Sequence, residues 1–302
     1  MIDHTLSAAR SGSESAVSQS RLVWPVAATL GEGPAWVDGV LWFVDIKSGA
    51  IHRYDPGTDT RESFAVGGAP SFIVPTADGA LLVGNRGALQ LFDGAALGAP
   101  IATVPMPDHN RTNDATVDPQ GRLWFGTMDD EESRPSGAVH TYDGDSITVV
   151  GGECTITNGP AISPDGRFLY HVDTLAGTIH RFDIATDAQL RDGTLFATIA
   201  PEDGNPDGVT VDAEGCVWVG LWGGWEARRY APDGSVLMRV ALPCANVTKV
   251  AFGGPDLQTG YVTTARAGLS DADLAAQPLA GGLFAFDAPA PGLPLPAVRI
   301  VR

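Results

Sequence analysis

A strand–turn–strand unit recurs six times along this 302-residue chain: WVDGVLWFVDI, PTADGALLVGN, VDPQGRLWFGT, SPDGRFLYHVD, VDAEGCVWVGL and a degenerate FGGPDLQTGYVTT. In each, apolar, β-branched and aromatic residues flank a short polar turn, the pattern of a β-hairpin. A second signature follows most copies, a Gly-led strand ending in an aromatic residue and Asp: GAIHRYD, GALQLFD, GAVHTYD, GTIHRFD and GGLFAFD, with WEARRYA as the weaker sixth. Its aromatic position falls at Tyr54, Phe92, Tyr142, Phe182, Tyr230 and Phe286. That spacing holds four short strands and their loops, the size of one propeller blade.

A β-sandwich needs only about seven to nine strands, whereas six repeats of four give about twenty-four. The expected fold is therefore all-β, a six-bladed β-propeller with four antiparallel strands per blade. With 37 Gly and 22 Pro, the chain has the turn residues that so many hairpins require. The propeller is expected over residues 21–302, after a Ser-rich, polar, disordered tail over 1–20. DADLAAQ, at 271–277, is the one stretch with a helical pattern.

The 36 acidic residues against 19 basic give a formal net charge of −17, which repels phosphate backbones and anionic lipid. Neither nucleic acid nor membrane is an expected partner. Cys154, Cys216 and Cys244 lie far apart without C-x-x-C spacing, so they indicate neither a disulfide framework nor a thiolate metal site. With no apolar signal region and no span of membrane length, the expectation is a cytoplasmic protein, a monomer or weak homo-oligomer.

Propeller blades place their innermost strands around a central channel, so equivalent residues at the head of each such strand converge at one mouth. Counting back eight residues from the turn glycines Gly79, Gly121, Gly166 and Gly215 reaches Ser71, Asn113, Asn158 and Asp207; counting back seven from Gly39 reaches Glu32. All five are polar, and a polar ring facing inward is costly unless water, ligand or metal satisfies it. Singly, Asn or Asp beside Gly reads as a turn residue; it is the shared repeat position that points to a site. Glu32, Asn158 and Asp207 offer only oxygen donors and two negative charges, which suits one hard or borderline divalent cation in the channel: Ca²⁺, Mg²⁺, Mn²⁺, Zn²⁺ or Fe²⁺.

His52, His140 and His180 share one place in the repeated strand, which assigns them to blade packing; His171 reads as a strand residue and His109 as a loop residue near the channel mouth. The chain has no G-x-S-x-G elbow, H-E-x-x-H helix or phosphate-binding Gly-Lys-Ser/Thr loop.

At these same residues the chain resembles the senescence-marker-protein/gluconolactonase family, the regucalcin-like sugar lactonases, over about residues 22–302. The matching segments are LGEGPAWVDGVLWFVDI, RTNDATVDPQGRLWFGTM, TNGPAISPDGRFLYHVDT, PDGVTVDAEGCVWVGLW and FGGPDLQTGYVTTAR, in the family's order. The resemblance implies that Glu32, Asn158 and Asp207 hold a single metal ion. It also implies that Arg111, Asn113 and Glu131 contact the sugar part of a small lactone substrate, with Glu131 in an acidic run, Asp129 to Glu132, that offers neighbouring carboxylates. Hydrolysis of an aldonolactone to its aldonic acid, with Asp207 as general base, is the expected reaction. The alternatives are a promiscuous esterase or organophosphate hydrolase and a non-catalytic calcium- or sugar-binding propeller.

Overall fold

The computed structural model describes residues 16–151 and 154–301. It is nearly all β, with the strands gathered into six antiparallel sheets that follow one another in sequence as blades 1 to 6. The innermost strands are Gly31–Val37, Pro70–Pro75, Asn110–Val117, Thr157–Ile162, Asn205–Val211 and Val247–Gly253. Each neighbours the next, and the sixth packs beside the first, which closes the ring.

Closure also rests on pairing between strands from the two ends of the described chain. Blade 6 takes its three inner strands from the C-terminal part of the chain, and its outer strand is Arg21–Trp24, paired antiparallel with Leu283–Asp287. The ring therefore cannot open without breaking a strand pair that joins residues far apart in sequence. The structure differs from the expected tail at Ala16–Gln19, which adds a parallel fifth strand to the edge of blade 5 against Val236–Ala241. Residues 1–15, the rest of that tail, lie outside the described residues. The helical reading at 271–277 corresponds to the helix Asp271–Ala276, opened by a reciprocal capping box between Ser270 and Asp273.

The core is divided among the gaps between blades. Phe72, Leu82, Leu123 and Phe125 fill the gap between blades 2 and 3; Val172, Val209, Val217 and Tyr230 fill that between 4 and 5; Leu41, Phe43, Tyr261 and Leu283 fill that between 6 and 1. Fully burying one such side chain contributes roughly 1.5–3 kcal/mol, so every blade depends on both neighbours. Two hairpin turns add a polar tie: Asp118 accepts from Trp124 Nε1 (2.9 Å) and Arg122 Nε (2.6 Å), and Asp212 accepts from Trp218 Nε1 (2.9 Å) and Arg229 Nε (2.8 Å). Without those carboxylates two fully buried indoles would leave their N–H groups unpaired.

His52 and His140 sit opposite Phe43 and Phe125 on the neighbouring strand, and His180 sits opposite His171, one register position in three blades. His52 and His140 are buried against aromatic rings. No helix among the described residues is long and apolar enough to cross a membrane.

Burial pushes His171 down to about 4 from an ordinary 6.5, so the native state holds it neutral. A base with a depressed native pKa gives stability that is present above the unfolded pKa and lost as pH falls toward the native one. Between pH 7 and pH 4 the stability advantage of the parent over His171→Leu should therefore shrink by about 3 kcal/mol. Urea denaturation of both proteins across that range measures it.

Candidate active site at the channel mouth

All six innermost strands carry an irregularity in register at the same place. Pairing skips between Glu32 and Ala35, Pro70 and Phe72, Thr112 and Ala115, Asn158 and Ala161, Pro206 and Val209, and Val247 and Val250. A bulge of this kind bends a strand and re-aims its side chains. Repeated in every blade, it builds a ring of Glu32, Ser71, Asn113, Asn158, Asp207 and Thr248, all buried.

The two hydroxyls and the four other members serve different ends. Ser71 Oγ lies 2.7 Å from Thr112 Oγ1, tying blade 2 to blade 3, and Thr248 Oγ1 donates to Gly31 O at 2.7 Å, tying blade 6 to blade 1. Asn113 Nδ2 donates to Asn158 Oδ1 (2.8 Å) and Thr157 O (2.6 Å), while Asn158 Nδ2 donates to Thr174 Oγ1 (2.9 Å). Arg111 Nη1 donates to Asn113 Oδ1 at 2.6 Å, and its Nε to Asp130 Oδ1 at 3.0 Å. Arg111, Asn113 and Asn158 thus form one hydrogen-bonded line, with Asp130 holding the guanidinium from behind.

Glu32 and Asp207 stand apart from that line as two buried carboxylates close enough to repel. Glu32 Oε2 accepts from Gly33 N at 2.6 Å, but Oε1 is buried without a hydrogen-bond partner. Burial and the neighbouring Asp114 push Glu32 up to about 8, with Lys249 and Arg111 pulling the other way. Burial and the charge of Glu32 raise Asp207 well above the usual carboxylate range.

One residue further along the inner strands lies a second layer. Gly33, Gly159 and Gly208 leave it open, and across it Lys249 Nζ of blade 6 pairs with Asp114 Oδ1 of blade 3, the opposite blade. A Cβ on Gly208 would come within 2.8 Å of the Lys249 Cβ and Cγ, so glycine here makes room for the lysine stem. Beyond this pair the channel widens into an apolar cavity of about 270 Å³, lined by Val74, Val117, Ile162, Val211 and Phe252 and by Leu293–Pro296. The C-terminal segment crosses that end as a strap: Gly292 N donates to Leu257 O of blade 6, and Val298 N to Pro75 O of blade 2.

The ring positions read from sequence are therefore together. Glu131 and Glu132 are both exposed, and Glu132 is the one whose charge acts on Arg111 and Asp207. His109 is half-buried beside Ser136, at 3.2 Å. Trp225 is exposed and Trp222 packs on the core between blades 1 and 2. Sequence reading missed Thr248, because the hairpin of blade 6 lacks the turn glycine from which the others were counted, and it missed Asp114 and Lys249. A buried Lys between Thr248 and Val250, inside an apolar strand, was the signal available for the last.

Among the described residues no three His, Cys, Asp or Glu side chains gather as a metal cluster. The set here mixes two carboxylates with an amide, and its unpartnered Glu32 Oε1, with Asp114 Oδ2 likewise unpartnered nearby, fits a cation at the ring.

Residues 30–266 match the family model described as the SMP-30/gluconolactonase/LRE-like region. The chain is 35% identical over 271 residues to a 6-deoxy-6-sulfogluconolactonase of Pseudomonas putida, a match covering 88% of this chain and 93% of that protein. It is 35% identical over 276 residues to a pentonolactonase of Haloferax volcanii, again over 88% and 93%. A crystal structure of a calcium-binding protein, regucalcin, from Agrobacterium tumefaciens superposes with a TM-score of 0.87 at 27% identity, over 95% of this chain and all of that one.

Gly208→Ala should force its methyl into the Lys249 stem and lower stability by about 1–3 kcal/mol, the usual cost of overpacking. Guanidinium denaturation reads this directly; a variant as stable as the parent would show that the layer is loosely packed.

Proposed function

The chain belongs to the SMP-30/gluconolactonase/LRE-like family and is a hydrolase of lactone esters, and we propose that it opens aldonolactones to aldonic acids with one divalent cation held by Glu32, Asn158 and Asp207. The observation that carries this reading is that three oxygen-bearing side chains from different blades stand at or within the register irregularity of their inner strands, with a buried carboxylate oxygen among them left unpartnered. Relatives named for a gluconolactone and for pentonolactones support a polyhydroxylated lactone as substrate. Oxygen donors alone suit Ca²⁺, Mg²⁺, Mn²⁺, Zn²⁺ or Fe²⁺.

When bound, such an ion supplies Lewis-acid polarisation of the ester carbonyl and acidifies a coordinated water. The protein's own part begins with Asp207. Its carboxylate is buried at the channel mouth beside Glu32, and with one oxygen on the cation the other would take a proton from the attacking water. The same carboxyl group then returns that proton to the leaving alkoxide of the opened ring.

Arg111 orients the substrate. Asp130, the Thr112 carbonyl and Asn113 fix its guanidinium, so its orientation costs little entropy when a ring oxygen or hydroxyl arrives. Asn113 keeps the Asn158 amide turned in one direction, and Glu132 adds a carboxylate at the rim toward which hydroxyls can donate.

Asp207→Asn should lower kcat on a sugar lactone by about a hundredfold to ten-thousandfold at saturating divalent metal. A pH-stat assay with and without chelator checks it, and unaltered turnover in the variant, or in the chelated parent, overturns the reading. Arg111→Ala should raise KM by roughly tenfold to a hundredfold on gluconic, xylonic, arabinonic and galactonic lactones, while leaving a simple lactone without hydroxyls much less affected.

A further inference from the structure

The layer beneath the ring carries one positive charge, and it lies among three negative ones. Glu32, Asp207 and Asp114 are buried carboxylates, and Lys249 is the buried ammonium paired with Asp114 across the axis. Lys249 and Asp114 both act electrostatically on Glu32, and Asp114 acts on Asp207 as well, so the four groups form one charge cluster. Arg111, the other buried cation, pairs with Asp130, which also meets Lys47, and Glu132 adds a negative charge toward Asp207; these groups lie outside the cluster and are common to every variant compared below. With all four groups ionised, as ligation of a cation by Glu32 and Asp207 requires, three carboxylates and one ammonium leave two negative charges within the cluster, the charge of a single divalent ion.

The position of Lys249 is built into the fold. Its stem runs past Gly208, directly after Asp207, in space that any side chain there would fill. Its strand, Val247–Gly253, stands opposite Asn110–Val117 of blade 3, so its ammonium reaches Asp114 over the centre of the channel. Asp114 also accepts from Ala115 N at 2.8 Å, which fixes the acceptor. An axial charge of this kind acts on an ion in the ring in proportion to the ion's own charge, without serving as a ligand itself.

We propose that Lys249 is the residue that sets the valence of the ion this site accepts, its charge making the ring selective for divalent over trivalent cations. This rests on the metal site proposed above. Neutralising the lysine leaves three negative charges and favours a trivalent ion; removing the pair together restores two, and with it the parent's preference. A role in packing alone gives the opposite pattern, since the double replacement disturbs the layer more than the single one.

The test is competition between Ca²⁺ and Tb³⁺, read by terbium luminescence and calorimetry on the parent, Lys249→Met and Lys249→Met with Asp114→Asn, each checked for folding by circular dichroism. The ratio of the two dissociation constants should move at least tenfold toward Tb³⁺ in Lys249→Met and stay within threefold of the parent in the double variant. A single variant with the parent's ratio, or a double variant shifted as far as the single, overturns the proposal. Should Lys249→Met not fold, Asp114→Asn alone, with one net negative charge, should move the ratio at least tenfold toward Ca²⁺, and no movement there overturns it equally. A folded parent that binds neither ion overturns the metal site itself, which separates that failure from this one.

Discussion

Buried negative charge on the axis is the constraint around which the rest of this protein is arranged. Two carboxylates inside a channel, with an oxygen lacking any donor, raise the free energy of the folded state unless a positive charge meets them. Six sheets packed face against face around the axis supply the rigidity to hold them there regardless. The interblade clusters, the strand from the N-terminal region that completes blade 6 and the hydroxyl ties of Ser71 and Thr248 all resist the relaxation by which those charges would separate.

The channel is then used twice over. Toward one mouth lies the buried ring of amides, hydroxyls and carboxylates; toward the other an apolar cavity is crossed by Leu293–Pro296. The Asp114–Lys249 pair separates the two. It makes the ring a closed cup, in which electrostatic effects exceed those at an open surface, and a site for ester hydrolysis gains from that isolation because donors fixed in advance need no reorganisation.

The repeat made the fold legible. Strand–turn–strand units whose hairpins recur with an aromatic-Asp signature left no other economical arrangement, and the structure has six sheets in that order. Five of the six ring members were legible too, since a fixed count from a turn glycine finds the same register in successive blades. The method failed where its ruler was missing, at Thr248, and where the residue's partner lay on the opposite blade, at Lys249. The family resemblance pointed to Glu131 within an acidic run that offers neighbouring carboxylates, and in the structure Glu131 and Glu132 are both exposed, with Glu132 at a positive φ of 57°.

Sequence by itself determined the number of blades, their strand content and the polar character of the ring, because each follows from patterns confined to a single repeat and copied along the chain. Tertiary structure alone decided which groups meet across the axis: Asp114 with Lys249, Arg111 with Asp130, Asn113 with Asn158. Those partners come from different blades or from loops, and their separation in space depends on closure of the whole ring, a property that no one repeat contains.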